Sequence, residues 1–384
     1  MKSLRFYVFG SSLVSAYWNG AATYYRGLYK HLHALGHAIT FAEPDIYGRQ
    51  QHRDAEDVSA YAEARIYRTR AELDAELRAA GDADVVVLHS GIGADDDYLA
   101  QAVVALGGAA PPGRRPQAIY WDVDAPATLA EIEARQDHYL RPLLPRFAHV
   151  FTYGGGQPVV RRFLALGARN CLTICNAFDP RTHFRVAPDP AWETDLAFVG
   201  HRLPDRETRV EEYFMAAARL APARRFLLAG AGWEGRALPP NVRYAGHAPS
   251  HLHNVINSSA RLVLNLNRES MARCGFSPPT RIFEAAGAAA AVITDAWPGI
   301  DEFFAPGREI LLARGPAEIV AALERPDAEL RHIGERMRAH ARLVHTYAQR
   351  ARLVHDVLMA RPARDQEAPD HAASVERASA REIP

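Results

Sequence analysis

The chain has 384 residues, is 48% hydrophobic and 23% charged, and balances 45 Lys and Arg against 45 Asp and Glu. Its length suits two domains, its charge balance gives no global basic field to draw nucleic acid, and no apolar run nears the roughly 20 residues of a membrane span. Its three cysteines, Cys171, Cys175 and Cys274, are too few for a disulfide framework or, without further ligands nearby, a zinc site; the cytoplasm is the expected compartment.

The first ten residues read as a strand rather than a signal peptide, because the apolar run is short. Strands are expected at Phe6–Phe9, Ala38–Phe41, Asp84–His89, Gln117–Trp121 and His149–Thr152, with a helix at Ala22–Leu35 stopped by Gly36. Asp-Val-Val-Val-Leu-His is nearly continuous in apolar residues, as a parallel strand covered on both faces should be. Cys171-Leu-Thr-Ile-Cys175 also reads as a strand, with both thiols on one face. After the Pro-rich break Val186–Trp192 a second series starts: Asp195–Val199, Arg225–Ala229, Val242–Tyr244, Arg261–Leu266, Ala291–Thr294 and Ile310–Leu312. Strands alternating with helices predict two parallel, doubly wound sheets with a cleft between them. A helical pattern follows from Ala328 to Met359. Residues 363–384 are polar and aperiodic, and are expected to be disordered.

Several motifs sit where such sheets carry ligands, at strand carboxyl ends. Arg281 and Glu284 lie three apart at the start of a helix, where an anion-pairing Arg and a hydroxyl-binding Glu suit a nucleoside diphosphate. Thr280 precedes them. The same spacing also suits a surface ion pair on an Ala-rich helix. Gly230-Ala-Gly-Trp-Glu-Gly235 matches the dinucleotide pattern Gly-x-Gly-x-x-Gly, but helix-breaking Pro239-Pro240 follow it, so Gly230 reads as a strand-end turn lining a nucleotide pocket. Asp122-Val-Asp124 has the spacing of a metal-binding Asp-x-Asp, or of a cleft wall, or of a solvated turn. His89 ends a strand and is a candidate base facing the cleft. Trp18-Asn-Gly-Ala-Ala22 is a small-residue loop ahead of a helix, which makes Asn19 and Gly20 candidates for anion contact. Asn265-Leu-Asn267-Arg268 either contacts a ligand or ties down its loop.

The stretch Arg281-x-Phe-Glu-Ala-x-Gly, then Thr294-Asp, Gly299-Ile-Asp-Glu-Phe-Phe and Gly307-x-Glu309 resembles the C-terminal half of nucleotide-sugar glycosyltransferases of the GT-B fold. It is most similar to the branch typified by spore maturation protein CgeB, which carries a pattern like Trp121–Pro126. The resemblance implies an α/β fold of two Rossmann-like domains facing across a cleft. Residues 1–182 would hold the acceptor, residues 193–339 the nucleotide-sugar donor, and a helix at 340–360 would cross back to the first domain. It further implies that Glu284 binds ribose, and that Arg281 and Arg202 neutralise the diphosphate in place of a metal. Arg206 and Arg209 are further cations in the same segment. Asp124 or His89 would be the base, with Asp122, Asn19 and Gly20 at the acceptor or phosphate loop and Thr280, Gly230 and Asn267 at the donor. No metal or other cofactor, no nucleic acid and no membrane span are expected; the acceptor stays open. Position 276 is Phe where many retaining relatives have the first of two Glu. A sugar-nucleotide epimerase or a silent binding scaffold on the same fold therefore also fit.

Overall fold

The computed structural model describes residues 3–55, 57–109 and 116–360; the tail at 363–384 lies outside them. The first domain is a seven-stranded parallel sheet of β1 (Arg5–Phe9), β2 (Ala38–Pro44), β3 (Glu63–Tyr67), β4 (Val85–His89), β5 (Gln117–Asp122), β6 (His149–Thr152) and β7 (Cys171–Thr173). The second is six-stranded, with β8 (Thr194–Val199), β9 (Phe226–Ala229), β10 (Val242–Tyr244), β11 (Ala260–Asn265), β12 (Val292–Asp295) and β13 (Leu311–Ala313). Their orders are β3-β2-β1-β4-β5-β6-β7 and β10-β9-β8-β11-β12-β13. In each, the winding reverses beside the first strand, between β1 and β4 and between β8 and β11. Such reversals open a crevice at the strand carboxyl ends.

Burial follows from helices on both faces. All five residues of β4 are buried. Val86 and Leu88 enter one core cluster, Val85 and Val87 the other, as a period of two requires. The strand β3 was not expected from the sequence. It is an edge strand, Glu-Ala-Arg-Ile-Tyr, mostly half-exposed, so it lacks the apolar run of a central strand. Cys175 lies beyond β7, so the two thiols do not share a strand; all three cysteines are free.

The C-terminal helical pattern is two helices. Asp327–Val344 stays on the second domain, burying Leu330, Ile333, Met337 and Ala341 in its cores. Tyr347–Met359 packs on the first domain through Tyr347, Ala351, Val354 and Leu358. The chain therefore crosses at His345–Thr346, later than the expected 340, and a capping box of Thr346 and Gln349 restarts the helix. Gly27 makes room: a Cβ there would lie 2.0 Å from Cδ2 of Tyr347. The domains are clasped at both lips of the cleft. Asp124 pairs with Arg268, and Asp54 holds Arg26 at 2.6 Å and the Ser250 hydroxyl at 2.7 Å. No helix of the described residues is long and apolar enough to cross a membrane.

Candidate functional site

A cleft of about 520 Å³ lies between the carboxyl ends of the two sheets. The second domain supplies its cationic wall. The helix Thr280–Gly287 starts after Pro279 and buries its apolar face, which leaves Thr280, Arg281 and Glu284 on the cleft. The Arg281 Nη1 donates to Oδ1 of Asn265 at 3.2 Å, and its guanidinium lies 5.2 Å over the Phe198 ring. Arg206, in the first turn after β8, donates from Nη1 to the His201 carbonyl at 3.3 Å. The two guanidiniums converge over Gly200, where a Cβ would lie 2.9 Å from Arg281 Nη2 and 3.0 Å from Arg206 Nη1. Burial, then the mutual repulsion with Arg281 and Arg268, pushes Arg206 down to about 9. Burial, offset in part by Glu284, pushes Arg281 down to about 10. Like charges held this close, neither in an ion pair among the described residues, leave a place for an anion.

Glu284 is 6% exposed. Its Oε2 is 3.2 Å from Nδ1 of His253, and its Oε1 is 3.8 Å from Nε2 of His183. Burial favours the neutral acid, but His253, then His183 and Arg281, hold the carboxyl down to about 2. It is an ionised acceptor at any working pH. Thr280 Oγ1 donates to Oδ1 of Asn176 at 3.3 Å. Gly230 lines the cleft at φ +128°, and a Cβ there would meet the Gly200 carbonyl at 2.3 Å. No helix opens behind it, since the next helical turn begins at Ser250, so the dinucleotide reading of this motif fails.

Two expected donor residues are placed elsewhere. Arg202 does not line the cleft; it pairs with Glu207 at 2.8 Å. Arg206 takes its place because it sits one helical turn further on, where the helix points back at Gly200. Asn267 is fully buried behind the wall, its N–H donating to Oδ1 of Asp295 at 3.1 Å. Arg209 is engaged by Asp295 and Glu269 at 2.6 and 2.7 Å.

The first domain supplies an acidic and aromatic wall. Asp124, just beyond β5, lines the cleft, and its pairing with Arg268 only partly offsets the burial that raises its carboxyl. Asp122 is fully buried beneath it. Its Oδ1 accepts from the Ser90 hydroxyl and the Asp124 N–H, both at 2.8 Å, and burial pushes it up to about 6. Asp122 thus orients the loop that carries Asp124. His89 does not face the cleft. It is fully buried, 2.7 Å from the Tyr29 hydroxyl and packed at a tilt against Tyr25 and Trp121, and burial pushes it down to about 3. As the last residue of β4 it points into the helical layer, while the following Ser90 and Gly91 reach the cleft. Asn19 closes its own loop, accepting from Ser11 Oγ at 2.9 Å and donating to the Ser12 and Ser15 carbonyls at 2.7 and 3.0 Å. Gly20 lines the cleft, with open space where a Cβ would stand.

Residues 206–356 match the family described as glycosyl transferase-like. Residues 206–356 thus form a glycosyl transferase-like region, and the chain has the GT-B fold. Sucrose-phosphate synthase from Thermosynechococcus elongatus superimposes with a TM-score of 0.66 at 15% identity, over 92% of this chain and 98% of that one. HepE of Anabaena, solved with UDP and glucose, gives 0.67 at 12% identity over 92% and 99%. An alpha-glucosyltransferase in complex with UDP-glucose and DNA containing an abasic site gives 0.67 at 12% over 94% and 100%. No curated protein matches the chain by sequence.

The cleft also holds residues that the sequence did not single out. His201, His247 and His253 line the second-domain wall, Tyr139 and Tyr153 the first. Only the bunching of His247, His251 and His253 in one short segment hinted at them. Trp18 has a left-handed backbone, φ +48°, and is 41% exposed, yet it reaches across to stack on His201. Phe276, where a Glu was missed, has φ +50° and accepts from the Gly155 N–H at 2.9 Å. Its backbone ties the two domains together.

Proposed function

We propose that the protein is a glycosyltransferase that moves a sugar from a uridine diphosphate donor to a hydroxyl of an uncharged, hydroxyl-rich acceptor, without a metal ion. The observation that carries this reading is the convergence of Arg206 and Arg281 over Gly200, with neither in an ion pair among the described residues. Two guanidiniums in a sheltered cleft neutralise a leaving diphosphate as a metal would. Glu284, ionised beside them, accepts from ribose hydroxyls. Uridine is the first base to test because HepE and the alpha-glucosyltransferase are solved with UDP or UDP-glucose.

On the acceptor side, Asp124 is the base, its proton affinity raised by burial. The alpha-glucosyltransferase is complexed with DNA, but the wall here presents Asp96, Asp124 and Glu131, which repel phosphodiesters. Arg49, on the same wall, donates to the Ser11 and Trp18 carbonyls at 2.9 and 3.4 Å. Free thiols suit the cytoplasm.

The test is UDP release from UDP-glucose and a panel of other nucleotide sugars, with and without EDTA, in wild type and Glu284→Ala. The expected result is EDTA-insensitive turnover of a uridine donor that Glu284→Ala abolishes. Full activity of Glu284→Ala would sink the site assignment. Activity lost to EDTA and restored by Mn²⁺ would sink metal independence. A donor isomerised with no acceptor present would make the protein an epimerase, and no turnover of any donor would leave a binding scaffold.

A further inference from the structure

His201 lines the cleft beside the two converging arginines, and its ring is fixed. It stacks with Trp18 of the first domain, centroids 5.5 Å apart at 26°, and with His247, 5.8 Å apart at 9°. Its Nδ1 accepts the Ala231 N–H at 3.0 Å. A nitrogen that accepts carries no proton, so the ring proton sits on Nε2. Nε2 is at the opposite edge of the ring and makes no hydrogen bond with the described residues. The His201 carbonyl anchors Arg206 at 3.3 Å, and the preceding Gly200 is where Arg206 and Arg281 meet.

We infer that His201 is a third ligand of the leaving diphosphate, a neutral imidazole whose Nε2–H donates to a phosphate oxygen. This rests on the reading of the cleft as a nucleoside diphosphate site. Neutrality is the useful property. A third cation beside Arg206 and Arg281 would add repulsion to the empty cleft, whereas a neutral N–H adds a directed hydrogen bond without it. The groups facing the ring keep it neutral. Burial, then His247, Arg206, Arg281 and His253, push its imidazolium down to about 4, with Glu234 the nearby carboxylate. His201 is therefore no general acid at neutral pH, and the diphosphate leaves as the anion. Because Trp18 completes the stack from the other domain, domain closure fixes this donor.

The test is calorimetric binding of UDP and of uridine, which lacks phosphate, to wild type, His201→Phe and His201→Gln. Phe keeps the stacked ring and removes both nitrogens; Gln restores an N–H near the position of Nε2. UDP should bind about tenfold more weakly to His201→Phe, the loss of one hydrogen bond to a charged acceptor. Uridine affinity should not change, and His201→Gln should recover most of the UDP loss. Equal UDP affinity in wild type and His201→Phe overturns the inference while leaving the site reading intact. Equal weakening of UDP and uridine assigns His201 a structural role and also overturns it. If wild type binds none of UDP, GDP or dTDP, the site reading falls and the inference with it. The UDP affinities of wild type and His201→Gln should run parallel between about pH 5.5 and 8.5. Tightening below about pH 6.5 in wild type alone would reveal a cationic imidazole and refute the neutral donor.

Discussion

Replacing Arg206 with Met should make the empty protein more stable and a poorer nucleotide binder. The opposite signs are the point. Arg206 is pushed from 12.5 to about 9 by burial and by Arg281 and Arg268. At about 1.4 kcal/mol per pH unit, that disfavours the charged form by roughly 5 kcal/mol. The side chain is half-buried, so solvent screening reduces the realised figure to about 2 kcal/mol. The folded-state value lies below the unfolded one, so the whole penalty is present at pH 7 and fades only as pH rises above about 9. Met keeps the apolar stem and removes the charge. Its melting temperature without ligand should therefore rise by a few degrees. Two charge-assisted bonds to a diphosphate vanish with the guanidinium, so the Kd for UDP should weaken by about tenfold to a hundredfold. Thermal denaturation with and without UDP, backed by calorimetry, reads both effects. Arg202→Met is the control, since Arg202 pairs with Glu207 away from the cleft, and should leave UDP affinity within about twofold. An Arg206→Met protein that melts below wild type without ligand and binds UDP equally well would refute the account of the cationic wall.

Glu284→Gln should abolish transfer and cost about 3–5 kcal/mol of stability, because it strips His253 and His183 of a buried partner; a urea titration of the free protein measures the second part. Glu284 is held at about 2 against an ordinary 4.5, so its contribution to stability is complete above about pH 4.5 and should be lost as pH falls toward 2. The Gln variant should lack that acid-side step. Asp124→Asn should lower kcat by about a hundredfold or more with UDP affinity little changed, as expected for a base outside the donor wall; steady-state kinetics beside calorimetry would expose an equal loss in both. Gly27→Ala drives a Cβ to 2.0 Å from the Tyr347 ring and should destabilise the protein by about 1–3 kcal/mol through the crossing helix. Unchanged melting would mean that this helix is not docked as described.

Twelve of the thirteen strands among the described residues were legible, the central ones because they are apolar throughout and the edge strands β7, β10 and β13 because short strand-forming runs still mark them. The exception, β3, is an edge strand whose Glu63 and Arg65 face outward. Arg281 and Glu284 could be read together because a three-residue spacing fixes neighbours on a helix regardless of what surrounds it. The partners that set their chemistry could not. His183 and His253 reach Glu284 from 101 and 31 residues away, and no local pattern encodes those approaches.

The misplaced residues fail for one shared reason. Sequence locates a strand's carboxyl end but not the direction of the last side chain. His89 ends β4 and was expected on the cleft, yet a shift of one residue turns a side chain to the other face. Ser90 and Gly91 reach the cleft, and the imidazole lies among Tyr25, Tyr29 and Trp121. Nearness to the end of β8 favoured Arg202, yet the helix beginning at Pro204 brings the later Arg206 back over Gly200. In the linker between β8 and that helix, His201 turns to the cleft while Arg202 turns to Glu207, so the cation at the end of β8 comes from the first turn of the next helix.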